Sequence, residues 1–209
     1  MMQNTMPHRY FITGIGTGVG KTIVSAIFTQ ALHADYWKPV QSGDLEHTDS
    51  DSIRTWIDNP VSAIHPETYR LTKPMSPHAS AEADGIQIDP ARIVLPETKN
   101  HLIVEGAGGL MVPLNRNFLF IDLIEQLQIP VVLVSDNYLG SINHTILSAE
   151  ALQRRNIPIA GIVFNHCGVE TTESFIREYT HIPVLLRIEA ETEWNTEVIK
   201  KYAPQLVIS

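Results

Sequence analysis

Between Phe11 and Thr22 the chain reads FITGIGTGVGKT, an apolar run followed by glycines at 14, 16, 18 and 20 and closed by Lys21 and Thr22. Side chains are nearly absent where the chain turns, and a cation and a hydroxyl stand at its end. Glycine lets backbone N–H groups converge on one anion, and a helix starting there adds partial positive charge. Lysine and threonine complete a grip on phosphate and its counter-cation. The strict phosphate-loop pattern would need glycine at Ile15; counted from Gly14 this loop is one residue longer, so Gly16 and Gly18 supply the flexibility. The dinucleotide fingerprint finds no register. Val19 stands where its last glycine should be, and the next strand ends in Lys38 instead of a ribose-binding acid.

Other residues offer chemistry that fits a phosphate. HLIVEGAGG places Glu105 at the end of an apolar strand, where a carboxylate can hold Mg²⁺ beside a nucleotide or simply pair locally. HTDSDS supplies Asp49 and Asp51, readable as metal ligands or as acids favoured in the first turn of a helix. In WKPVQSG, Lys38 falls at a strand end, costly to hold there unless an anion meets it, with Ser42-Gly43 close behind. LGSINH opens a helix at Ser141, which can cap it or leave N–H groups free for a carboxylate. The nine histidines show no metal spacing, His166-Cys167 lacks a second ligand pair, and no serine sits in a GxSxG elbow.

These groups need a scaffold that brings them to one edge. RYFITG, YWKPV, HLIVEG, PVVLVSD, IAGIVFN, PVLLRI and QLVIS read as strands; Lys21–His33, Ser50–Ile57, Phe118–Leu127, Ser141–Arg155 and Thr172–Tyr179 read as helices. Strands apolar on both faces and separated by helices indicate a doubly wound, mainly parallel α/β sheet; with the loop closing in Gly20-Lys21-Thr22 the expectation is the P-loop NTPase type, in a single domain over residues 1–209. Its ligands gather beyond the carboxyl ends of the strands, where Gly14–Thr22, Lys38, Glu105–Gly109, Ser135–Gly140 and Asn165 all arrive. The proline-rich stretch Pro60–Pro96 reads as an irregular insertion over the sheet edge.

Composition narrows the partners. The formal charge of −8, with no basic stripe, argues against nucleic acid. No run approaches the ~18 apolar residues of a membrane span. MMQNTMPHRY has no apolar core of a secretory signal, and a single cysteine, Cys167, fits a reducing cytoplasm. A small molecule is the expected partner.

Taken together, YFITGIGTGVGKT, YWKPVQSG, TDSDS, KPMSPHASAEADG, LIVEGAGGLMVPL, YLGSINHTILSAE and IAGIVFN resemble the dethiobiotin synthetase family, in family order from residue 10 to about 165. The resemblance implies a homodimer of P-loop subunits with sites at the interface. It also implies ATP-dependent closure of 7,8-diaminononanoate and CO₂ to dethiobiotin, with ADP and phosphate as by-products. By resemblance, Gly16, Gly18, Val19, Gly20, Lys21 and Thr22 hold the triphosphate, with Thr17 against it, and Asn165 reads adenine. Lys38 lies between carbamate and γ-phosphate, and Ser42 near the carbamate. Mg²⁺ is held by Thr22, Asp51 and Glu105. Ser141, Ile142 and Asn143 take the substrate's distant carboxylate across the interface. Gly16 stands where the family often has Asp, and LLRIEA where it commonly has Gly-x-Ile-Pro beside adenine.

Two other classes share the fold. A partition-type switch ATPase carries a lysine early in the loop, at the place of Gly16, and an iron–sulfur reductase component needs two cysteine ligands per subunit. Gly16 argues against the first and the single cysteine against the second.

Overall fold

The computed structural model describes residues 7–208. In chain order its strands are β1 (Arg9–Gly14), β2 (Asp35–Trp37), β3 (Val40–Ser42), β4 (Ile64–His65), β5 (Tyr69–Leu71), β6 (Leu102–Gly109), β7 (Pro113–Asn115), β8 (Phe118–Leu119), β9 (Val131–Asp136), β10 (Ile159–Asn165) and β11 (Val184–Arg187). The helices are α1 (Lys21–Leu32), α2 (Asp49–Trp56), α3 (Pro77–Ala83), α4 (Phe120–Leu127), α5 (Ser141–Arg154), α6 (Glu170–Thr180) and α7 (Thr196–Tyr202).

Seven strands form the main sheet in the order β11-β10-β9-β1-β6-β2-β4. Every pairing in it is parallel. The chain runs outward from β1 to β4, returns to β6 and then crosses to β9, so connections leave β1 in both directions. A doubly wound sheet opens its ligand crevice at such a reversal.

Both faces of the sheet are covered, which explains why its strands read as continuous apolar runs instead of alternating ones. Along β1, Phe11 packs with Val104, Leu114 and Phe120 on one face, while Ile12 packs with Val24, Phe28 and Val163 on the other. A third cluster joins Leu133, Ile162 and Phe164 to Ala149 of α5 and Ile176 of α6. Burying each such side chain contributes about 1.5–3 kcal/mol.

The stretch from 60 to 96 is more ordered than its composition suggests. It holds β4, β5 and α3; β4 extends the main sheet by pairing with β2, and β5 pairs in parallel with β3. Asp35 ties this segment down, its carboxylate accepting from the Ala63 N–H, the Asn100 amide and the Thr98 hydroxyl. Burial alone would raise the Asp35 pKa, yet these bonds carry it below the ordinary value. The expected C-terminal strand over QLVIS does not form: Ala203–Gln205 is a 3₁₀ turn around Pro204, and Ser209 lies outside the described residues. α7 is the last α-helix, and Leu206 and Ile208 beyond it still pack against the core without forming a strand. Among the described residues no helix is long and apolar enough to cross a membrane.

Candidate active site

The loop from Ile15 to Gly20 leaves the carboxyl end of β1 at the centre of the sheet and runs into α1. Gly20 takes φ 95° at the helix N-cap, a left-handed conformation suited to glycine, and no side chain caps the helix. The first-turn N–H groups therefore have no side-chain acceptor and are available to an anion. Space requires glycine as well: a Cβ on Gly20 would come within 2.4 Å of Asn165 Nδ2.

Lys21 is buried, and its ammonium donates back to the Gly16 carbonyl at 2.8 Å, spanning the loop mouth. Burial pulls its pKa down to about 8; Lys38 acts in the same direction, and Glu105 and Asp49 oppose. It is a lysine poised to gain from a phosphate.

Parallel pairing places Glu105 of β6 opposite Ile12 of β1, just below the loop, before the register shifts to set Gly109 opposite Gly14. One Glu105 oxygen, Oε1, accepts from Thr22 Oγ1 at 2.9 Å and from Lys38 Nζ at 3.1 Å. Asp49 Oδ1 lies 3.0 Å from the same Thr22 hydroxyl, whose one proton the two carboxylates share, and Lys38 forms an ion pair with the other Asp49 oxygen. Burial works against a charged Lys38, but the two carboxylates outweigh it and raise its pKa.

Asp51 is the correction. It was expected with Thr22 and Glu105; instead its Oδ2 accepts from the Thr48 N–H and hydroxyl, completing a capping box at the start of α2. Its other oxygen accepts from Arg54 at 2.6 Å. These partners hold the Asp51 carboxyl below its ordinary pKa. Asp49, one helical position after the Thr48 cap, is the acid that reaches the site. The Thr48-x-x-Asp51 spacing is itself the signature of a capping box and could have distinguished the two acids.

Sequence reasoning also missed Tyr36. Its phenol, wholly buried, donates to Glu105 Oε2 at 2.9 Å. Burial first, and then the Glu105 charge, push the Tyr36 pKa well above the ordinary value, so the proton stays on the phenol.

A cavity of about 660 Å³ opens over these groups, with Thr17, Gly18, Lys21, Thr22 and Lys38 in its wall. Ser42 and Gln41 of β3 border it, and so do Pro74, Met75 and Ser76 from the segment expected to be an irregular insertion. Gly43 allows this approach, since a Cβ there would meet Pro74 Cα at 2.6 Å. Val19 faces inward, 3% exposed. Asn165 lies beneath the loop, its amide donating to the Val19 carbonyl at 3.2 Å, while its own oxygen is buried without a partner.

Ser141, Ile142 and Asn143 open α5 outside that cavity. Gly140, not Ser141, is the N-cap, so these residues lie in the first turn and no side chain caps it. Further along, α5 borders a second space of about 650 Å³ on the far side of the loop, where Leu147 and Ala151 face Ile15, Thr17 and Met111.

The AAA domain family matches residues 8–198 of this chain. The ATP-dependent dethiobiotin synthetase of Cytophaga hutchinsonii is 53% identical over 199 residues, spanning 95% of this chain and 96% of that protein. The enzyme of the same name from Christiangramia forsetii is 51% identical over 198 residues, spanning 95% of each. Among solved structures, a ParA family ATPase from Chlorobium tepidum covers 95% of this chain with 91% of its own, at a TM-score of 0.58 and 13% identity, a likeness of fold alone. A chain that shares half its residues with dethiobiotin synthetases over nearly the full length of each belongs to that family.

Proposed function

We propose that this chain is an ATP-dependent dethiobiotin synthetase, an enzyme that closes 7,8-diaminononanoate and CO₂ into the cyclic urea dethiobiotin. A neutral amine of the substrate attacks CO₂ and loses a proton, giving a carbamate anion. A carbamate oxygen attacks the γ-phosphorus of ATP and ADP leaves, so a carbamic–phosphoric anhydride forms. The second amine attacks the carbamate carbon, the urea ring closes, and phosphate departs. The central difficulty is that one anion must approach another.

The observation that carries this reading is the placement of Lys38. It shares one cavity with Lys21 and Thr22 yet arrives from a different strand, so two cations can flank a transferring phosphoryl group from different sides. A unit-charge contact near 4 Å is worth about 4 kcal/mol at an effective dielectric near 20. Lys21 and the loop N–H groups of Gly16–Gly20 hold the triphosphate, Thr17 lies against it, and Lys38 and Ser42 hold the carbamate. Asn165 reads adenine from beneath the loop.

The donor set fits Mg²⁺. The Thr22 hydroxyl and the Asp49 and Glu105 carboxylates are hard oxygens, too few to enclose a metal without the phosphates, which is the ligation Mg²⁺ prefers. When bound, the ion supplies neutralisation of charge on the phosphate oxygens.

The substrate's carboxylate lies several methylenes from its amines, so its anchor must stand away from the γ-phosphate. The uncapped first turn of α5, at Ser141, Ile142 and Asn143, is such an anchor, and it serves the cavity of a second subunit. Exposed Leu147 and Met111 beside the loop support a homodimer packed through this face. We further read the chain as one P-loop domain acting in the cytoplasm.

Phosphate release from purified protein tests the function. Turnover should require ATP, Mg²⁺, bicarbonate and diaminononanoate together. Equal ATP hydrolysis without the diamine would favour a switch ATPase and defeat this reading.

A further inference from the structure

Tyr36 is one residue into a three-residue strand, in the packed layer with Phe28, Ile53 and Ile103. A phenol in a layer of hydrocarbon needs a partner, and the one it has is Glu105 Oε2. Glu105, at 1% exposure, is itself a carboxylate with almost no access to water. Its two oxygens are therefore divided: Oε2 is taken by Tyr36 from within the core, and Oε1 is left to Thr22 and Lys38 at the cavity.

We propose that Tyr36 is a positioning residue of the active site: by holding Oε2 it fixes the rotation of the Glu105 carboxylate and delivers Oε1 to the cation side. The geometry leaves the carboxylate little choice. With Oε2 tethered at 2.9 Å, rotation about the last side-chain bond would break the Tyr36 bond and both bonds at Oε1 together. Without the phenol, Oε2 is an unsatisfied buried acceptor. The carboxylate then relaxes by turning toward Lys38 or Thr22 with either oxygen, and a single orientation is lost. Partners of metal-ligating side chains commonly set metal affinity by 10–100-fold through such orientation. The inference rests on Thr22, Asp49 and Glu105 being the metal-facing set.

The test is Tyr36→Phe, read by direct Mn²⁺ binding. Free Mn²⁺ is followed by its electron paramagnetic resonance signal in the presence of a non-hydrolysable ATP analogue. The parent should bind one Mn²⁺ with the nucleotide; no binding defeats the metal reading and the inference with it. Given parental binding, Tyr36→Phe should weaken Mn²⁺ about 10-fold while metal-free nucleotide binding stays put. Parental Mn²⁺ affinity in the folded variant overturns the role of Tyr36 alone. The same substitution placed on Glu105→Gln should change Mn²⁺ affinity no further; an equal loss there shows a path that bypasses Glu105 and also overturns the proposal. If the phenylalanine variant does not fold, Tyr36→Met, a long apolar side chain that also lacks the donor, takes its place. A loss of about 10-fold in Mn²⁺ affinity then supports the proposal, and parental affinity counts against it.

Discussion

Thr22 and Asp49 are joined by a 3.0 Å hydrogen bond, while Asp51, two residues further along, turns back on Thr48. The two acids therefore have separable roles. Asp49→Asn should raise the Mg²⁺ concentration needed for half-maximal turnover several-fold, while Asp51→Asn should leave that requirement alone. Removing the capping acid should instead cost about 1 kcal/mol of stability, visible as a lower Tm. A shifted Mg²⁺ requirement in Asp51→Asn, with Asp49→Asn unaffected, would reverse the assignment.

The Lys21 pKa gives a pH dependence of nucleotide binding. In the free protein it is lowered to about 8, and a bound triphosphate favours the charged form and raises it. Binding thus takes up a proton above pH 8, so affinity is level below that pH and falls by up to tenfold per pH unit above it. Titrations of an ATP analogue without diamine, from neutral pH to mildly alkaline, should show this bend. Buffers of different ionisation enthalpy should report the proton uptake. Constant affinity through the alkaline range would mean that Lys21 is already charged throughout.

Lys38 stands between two carboxylates, and its loss should damage chemistry more than binding. Lys38→Ala is expected to lower kcat by about 10²–10³-fold, the usual effect of removing one preorganised electrostatic group, with ATP-analogue affinity little changed. A large loss of nucleotide affinity with kcat preserved would move Lys38 from the transferring group to the resting triphosphate.

The dimer can be tested by mixing. Asn143→Asp should raise KM for the diamine by like-charge repulsion with its carboxylate, leaving ATP binding near normal. In a heterodimer with Lys38→Ala, one of the two sites carries both lesions and the other neither. Statistical exchange should therefore restore roughly a quarter of parental activity, as two-fold symmetry requires. Exchanged mixtures that remain inactive would place the carboxylate anchor in the same chain as Lys38.

Most of the scaffold was legible because parallel, doubly covered strands must be apolar on both faces, and residues such as Phe11-Ile12 and Val131–Val134 have no other use for that pattern. The loop and the strand-end residues Lys38 and Glu105 were legible because their types are costly or idle without an anion. The segment from 60 to 96 was not, since strands of two or three residues such as Ile64–His65 are too short to show a period. QLVIS reads as a strand by composition, yet Val207 makes a single backbone bond to Leu185 and no ladder follows. Tyr36 looked like one more strand aromatic. Only its contact with a residue 69 positions away gives it a role.

The close approach of Gly20 to Asn165 bears on how this protein can drift. An alanine at 20 would meet the amide of Asn165 and also a backbone angle that side chains rarely adopt, so shrinking Asn165 relieves one obstacle and not the other. Two positions 146 and 145 residues from Asn165, Val19 and Gly20, are thus tied to it by a bond and by a contact. No single substitution at Gly20 escapes both obstacles, whereas Gly16, with open space around it, is free to take a larger side chain, so variation in this loop is confined on its Gly20 side.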